Sequence, residues 1–178
     1  DARAGLSSAQ RALVERYRET VYRLARSATG DPEEAFDIAQ ETFVAAFGAL
    51  NRYDPERSFK AWISAITLNK CRDWARRRAV RRFIGLPMPD HISDWIADEA
   101  PSAETLATDR AELAATARAI AELPAKLKDV LILCTVEGLS QQEAAMTLGI
   151  SVKAVETRLS RARQKLVGIL RGSPDARV

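Results

Sequence analysis

Leu139–Leu166, LSQQEAAMTLGISVKAVETRLSRARQKL, reads as two helices joined by a tight turn. Ser140 begins Ser-Gln-Gln-Glu, the spacing of a capping box, in which the Ser140 hydroxyl serves the Glu143 amide and the Glu143 side chain reaches back. Ala144, Ala145 and Leu148 give the first helix an apolar side. Gly149 then suits a helix end, because glycine takes positive φ without steric cost. Ser151 is placed to cap the second helix. In that helix Val152, Val155, Leu159, Ala162, Leu166 and Ile169 recur at steps of three and four, a stripe for the core. Lys153, Glu156, Thr157, Ser160, Arg161 and Gln164 fall away from it.

This is the pattern of a helix-turn-helix, whose second helix lies in the major groove of duplex DNA. An ordinary helical hairpin with a solvated charged face is the competing reading. The capping box, glycine turn, second cap and polar outer face all agree with one another, which favours the DNA reader. The motif does not say to what end DNA is read.

Working outward, 178 residues suffice for one medium domain or two small ones. A hydrophobic share of 47% with 29% charged residues is globular rather than disordered. No apolar run reaches the length of a membrane span, so no membrane insertion is expected. No signal peptide is read, although a chain beginning at Asp1 leaves room for a trimmed start. Cys71 and Cys134 are lone thiols without metal-ligand spacing, and His91 is the only histidine. They read as packing residues in a reducing, cytoplasmic setting, with no metal site. Net charge is only +3, but basic side chains concentrate in 1–83 and 124–178 while acids dominate 84–123. That predicts two phosphate-facing modules flanking a segment that avoids phosphate.

Residues 9–29 form a first amphipathic helix through Val14, Tyr17, Val21, Leu24 and Ala28. Asp31-Pro32-Glu33-Glu34 starts a second: a cap, a proline at the first helical position, and two acids at the positive end of the dipole. It runs to about Leu50, with Phe36, Ala39, Phe43, Phe47 and Leu50 expected inward. Asp37, Gln40, Glu41 and Val44 share another side, either a solvated face or a docking surface; periodicity alone favours the solvated face. Asn51–Ser58 is a loop, and Ser58 caps a third helix over 59–82. Phe59, Trp62, Ile63 and Ile66 occupy its first half, and Lys70, Arg72, Trp74, Arg76, Arg77, Arg78, Arg81 and Arg82 its second. Rings beside cations suit single-stranded DNA, whose bases stack while its phosphates are tracked. Trp62 and Trp74 are equally readable as core residues, and for Trp74 the stripe Ile63, Thr67, Cys71, Trp74 favours the core. Residues 84–104, broken by Pro87, Pro89 and Pro101, read as an acidic linker. Helices over about Ala103–Leu123 and Ala125–Glu137 follow, then the opening motif and a frayed tail, 173–178. No segment alternates as a strand, so the expected fold is all-α: two small helical domains on a proline-containing linker.

These blocks together resemble the extracytoplasmic-function (group IV) sigma factors of bacterial RNA polymerase. The second region of that family carries D-x-x-Q-E-x-F, here Asp37, Gln40, Glu41 and Phe43. An F-x-x-W helix with later Asn, Asp and Arg follows, here Phe59, Trp62, Asn69, Asp73 and Arg76. The C-terminal block has Leu123-Pro124, Glu137-Gly138-Leu139-Ser140 and Thr157-Arg158-Leu159-Ser160-Arg161-Ala162-Arg163. The resemblance implies a region 2 domain over 1–83, a linker over 84–104 and a region 4 domain over 105–172. It implies that Asp37, Gln40, Glu41 and Val44 bind core RNA polymerase, overturning the solvated-face reading. It implies minus-ten contacts from Arg52, Tyr53, Phe59, Trp62, Asn69, Arg72, Arg76 and Arg77. There a non-template base leaves the stack, its unpairing offset by stacking and pocket capture. Ser151, Lys153, Glu156, Thr157, Ser160 and Arg161 are implied to meet the minus-thirty-five duplex. Promoter DNA, core polymerase and an anti-sigma factor are the implied partners; no cofactor and no catalytic residue are implied.

Glu156 departs from the family, where Lys or Arg is common. A carboxylate accepts from cytosine N4 or pairs with a neighbouring arginine. Lys128 also replaces a common Arg. Two rivals are a free-standing helix-turn-helix regulator and a sigma-like module that sequesters an anti-sigma factor. The first leaves the 31–82 block without a purpose.

Overall fold

The computed structural model describes residues 7–84 and 115–172. The expected linker, apart from Ile84, and the tail lie outside the described residues, as does the 103–114 part of the helix before Pro124. Among the described residues every regular element is a helix. The order is α1 (Ser7–Thr29), α2 (Pro32–Gly48), a single 3-10 turn at Leu50–Arg52, α3 (Phe59–Phe83), α4 (115–122), α5 (Ala125–Leu131), a π-helical turn at Ile132–Val136, α6 (Gln141–Leu148) and α7 (Val152–Gly172).

Local chemistry places the ends as expected. The Asp31 carboxylate accepts from the Glu33 and Glu34 amides at 3.0 and 3.2 Å, satisfying two donors that the first turn of α2 leaves open. The Ser58 hydroxyl accepts from the Ala61 amide at 3.4 Å. At α6 the box closes fully. The Glu143 amide donates to the Ser140 hydroxyl at 3.2 Å, and the Ser140 amide donates to Glu143 Oε2 at 2.8 Å. Bonds from the backbone and then the hydroxyl of Ser140 hold the Glu143 carboxyl below its ordinary pKa. Gly149 follows at φ 65°, the left-handed conformation a side chain resists. Ser140→Ala is expected to lower stability by about 0.5–2 kcal/mol. A urea titration of the variant checks it, and an unchanged midpoint contradicts a structural role for the cap.

Packing bears out the inward stripes of α1 and α7. Val21, Leu24 and Ala28 are buried on α1, and Val155, Leu159 and Ala162 on α7, with Leu166 and Ile169 packed alongside. Val152 is the exception, lying 38% exposed in the opening turn of its helix. The expected inward face of α2 is shifted. Ala35, Ile38, Ala39, Thr42 and Ala46 are the buried residues, and Phe36 is 58% exposed. The reason is crowding: α2 packs on both α1 and α3, so small residues occupy the contact and Phe43 sits at its margin. On α3 the stripe Ile63, Thr67, Cys71 is buried and Trp74 packs against the core.

A finding the sequence did not suggest is that the two helical groups share one core. Leu24, Ala25, Ala28, Leu68 and Cys71 from the first join Leu123, Val130–Leu133, Val155 and Leu159 from the second in one continuous cluster. The α1–α2 turn approaches α4 so closely that a Cβ on Gly30 (φ 77°) would stand 3.3 Å from Ala121 Cβ. Lys128 Nζ crosses the same junction, donating to the carbonyls of Ala28 at 3.1 Å and Ala121 at 2.5 Å. Burial pushes its pKa down, against the pull of Asp129.

Candidate functional sites

On α2, Asp37 and Gln40 are exposed and Val44 is 74% exposed. Glu41 is half-buried because Lys70 of α3 meets its carboxylate at 3.2 Å and Arg77 at 4.0 Å. Asp37, Gln40, Glu41, Val44 and Lys70 line one shallow cleft. Next to it, Tyr22, Phe36, Phe43 and Gln40 line an apolar groove between α1 and α2. The four predicted residues are therefore brought together, and they border exposed apolar area that the sequence reading placed inward. An apolar patch rimmed by polar groups is the composition of an interaction surface.

The second predicted set is brought together only in part. Tyr53, Phe59 and Trp62 form a ring cluster with centroids 5.1–5.3 Å apart, and Tyr17 stacks obliquely on Phe59 at 4.9 Å. Phe59 and Trp62 also pack on Val21, Ala39, Ala46 and Ile63, so each ring is half-buried. Tyr53 Oη donates to the Arg57 carbonyl at 2.6 Å, which ties the loop back on itself. Arg52 is exposed nearby. Asn69 stands further along α3 and accepts from Arg72 Nη1 at 2.7 Å. Arg76 pairs with Asp73, and Arg77 turns toward Glu41. The Arg78 guanidinium lies 5.0 Å over Trp74, a cation–π contact. The arginine run thus divides among several faces rather than forming one strip, because eight positions spread around a helix at 3.6 residues per turn.

Arg72 belongs to a site that the sequence reading missed. Its Nε and Nη2 donate to Asp129 Oδ2 at 2.9 and 2.5 Å, across to α5. Burial pushes the Asp129 carboxyl up, more than Arg72, Lys128 and Arg158 pull it down. Glu137 makes the matching link. Its side chain is fully buried and receives Arg23 Nε at 3.1 Å and Nη2 at 3.2 Å. Lys60 Nζ lies 3.6 Å from that carboxylate and donates to the Glu137 carbonyl at 2.6 Å. The bond to Glu137 keeps Arg23 firmly protonated. A carboxylate inside the apolar run Leu127–Leu133 was the available signal for Asp129; Glu137 had been read only as part of a motif.

The third set lies together on the outer face of α7. Lys153, Glu156, Thr157, Ser160 and Arg161 are exposed in register, with Ser151 at the helix start accepting from the Ala154 amide at 3.2 Å. Glu156 pairs with Lys153 at 2.9 Å, not with an arginine. Thr157 Oγ1 donates to its own helix at the Lys153 carbonyl, 2.9 Å away. Among the described residues no cluster of His, Cys, Asp and Glu could hold a metal ion. Nor is any described helix long and apolar enough to cross a membrane.

Comparison with known proteins accounts for this arrangement. Residues 13–81 match the Sigma-70 region 2 family and residues 113–166 the Sigma-70 region 4 family. The chain is 42% identical to the RNA polymerase sigma factor CnrH of Cupriavidus metallidurans, over 89% of its own length and 84% of CnrH. It is 34% identical to the ECF RNA polymerase sigma factor SigD of Mycobacterium tuberculosis, covering 93% and 79% respectively. Its structure resembles that of CnrH in complex with the cytosolic domain of CnrY, with a TM-score of 0.70 and 36% identity over 97% of this chain and 94% of that one. The chain belongs to the extracytoplasmic-function group of RNA polymerase sigma factors.

Proposed function

We propose that this sigma factor works by binding alone, through three faces, in the cytoplasm where polymerase acts. The α2 face, Asp37, Gln40, Glu41 and Val44, docks core RNA polymerase. The loop and α3, with Arg52, Tyr53, Phe59, Trp62, Asn69, Arg72, Arg76 and Arg77, open and hold the minus-ten element. The α7 face, Ser151, Lys153, Glu156, Thr157, Ser160 and Arg161, reads the minus-thirty-five duplex. Residues 1–83 and 105–172 are the two working domains, 84–104 their linker and 173–178 a tail. An anti-sigma factor is the regulator expected to compete for these faces.

The observation that carries the reading is the coexistence of an exposed polar face on α7 with an acidic and apolar face on α2. A duplex-reading regulator needs only the former. Transcription in vitro with purified core polymerase over a random-promoter library tests the whole proposal. Enrichment of a two-part promoter is expected; no transcription above core polymerase alone overturns it.

One prediction concerns the duplex face. Arg161→Ala is expected to weaken binding of the selected minus-thirty-five duplex and to reduce the salt slope by about 1 if the contact is to phosphate. In the same titrations Glu156→Ala separates two roles. A shift of preference at one base pair marks cytosine reading, whereas a uniform change shows that the carboxylate serves Lys153.

A further inference from the structure

We propose that the chain inhibits itself without any partner: α5 and the π turn hold the first helical group through Asp129 and Glu137, and so occupy the single-strand face of α3. The DNA half of this statement rests on the function proposed above; the closure itself does not.

Three observations converge. The ion pairs are interdomain and deep: Glu137 is fully buried between Arg23 and Lys60, and the Asp129 side chain is 8% exposed against Arg72. The apolar cluster runs continuously through both groups, so closure buries area as well as charge. Arg72, which also holds Asn69, spends its remaining donors on Asp129. A guanidinium so engaged has no fork left for a phosphate. Trp74 is turned onto the same shared core.

The closure is also built to release. Taking a carboxylate out of water can cost more than its pairing returns. The upward shift of Asp129 has that sense, because burial outweighs the Arg72 contact. Arg23 and Arg72 keep about two fifths of their side chains in water, at 42% and 40% exposure, so competing charge can reach them. A partner that supplies burial to either group would shift the balance toward the open form.

Cys71 reports on the state of the junction. It is 6% exposed inside the shared cluster, and burial followed by Asp129 pushes its thiol up to about 12. In the full chain carrying Cys134→Ser, the rate of reaction of Cys71 with a thiol reagent measures opening. Glu137→Arg places like charges together, and so does the pair Arg23→Glu with Lys60→Glu. Each set is expected to speed labelling by about tenfold or more, with a larger radius of gyration by X-ray scattering. Combining the two sets re-pairs the charges and is expected to restore slow labelling, which a merely misfolded variant would not do.

Binding of a labelled single-stranded oligonucleotide then tests masking by a reversal of sign. The recombined variant carries one more positive side chain and one fewer negative than the opened Arg23→Glu/Lys60→Glu variant. Charge alone makes the recombined variant bind tighter, whereas masking makes the opened one bind tighter. Unchanged labelling in both opened sets overturns the closure. Oligonucleotide binding that is tighter in the recombined variant overturns the masking. Failure of the promoter-library experiment with wild-type chain would instead remove the functional reading and leave the labelling result standing.

Discussion

Asp37→Arg combined with Gln40→Ala is expected to abolish binding to core RNA polymerase while leaving the fold intact. Both side chains are exposed on α2, and the buried residues of that helix, Ala35, Ile38, Ala39, Thr42 and Ala46, are untouched. Thermal unfolding should therefore match wild type within the small range usual for surface changes, about 0.5 kcal/mol. Binding should not. Interface hot spots lose about 2 kcal/mol or more on truncation, and reversing a charge adds repulsion from whatever basic surface the carboxylate met. A loss of about 30-fold in affinity is thus a minimum. Fluorescence anisotropy with labelled chain and purified core polymerase reads it. Unchanged affinity would remove the docking role of α2 and leave Phe36, Val44 and the groove beside them unexplained.

Leu24→Ala is expected to produce the largest loss of stability, about 2–5 kcal/mol from the removed side chain and the cavity left behind. That is a sizeable part of the 5–15 kcal/mol typical of a folded domain. Leu24 lies fully buried on α1 in the cluster shared by both helical groups. Its loss should therefore be felt in both. Urea unfolding followed by tryptophan fluorescence and by far-ultraviolet circular dichroism should give coincident transitions in wild type, shifted together in the variant. Trp62 and Trp74 both lie in the first group, whereas helix content samples the whole chain. Two separated transitions in wild type would show that the groups fold independently and that the shared core adds little.

Much of the fold was legible because local chemistry and tertiary packing agree. The Ser140–Glu143 box, Gly149, the Asp31 cap and the stripes of α1 and α7 all depend on residues a few positions apart. The outer face of α7 was legible for the same reason. The failures are those of long range. Periodicity put Phe36 inside, but packing of α2 between two helices demanded alanines there, and the ring was turned outward. A basic run on α3 read as one phosphate strip, yet Arg72 is committed to a residue 57 positions away. Asp129 and Glu137 were invisible as sites because a charged residue announces its burial only when its partner is known. Glu156 lay between these cases: a pairing was foreseen, but the partner is Lys153, one helical turn back.

The π turn at Ile132–Val136 has a consequence for how this chain tolerates length changes. Its wider winding lets the Glu137 amide reach the Ile132 carbonyl at 3.0 Å and the Leu139 amide the Leu133 carbonyl at 2.9 Å. A π turn amounts to one residue added to an α-helix. Removing one residue from it would restore ordinary winding and leave every hydrogen bond of α5 satisfied. It would also swing all that follows by about 100° around the helix axis. Glu137 would then face away from Arg23 and Lys60, and α6 and α7 would leave the junction with it. The extra residue acts as a phase setting, and both the buried carboxylate and the direction in which the DNA-reading helix points depend on it.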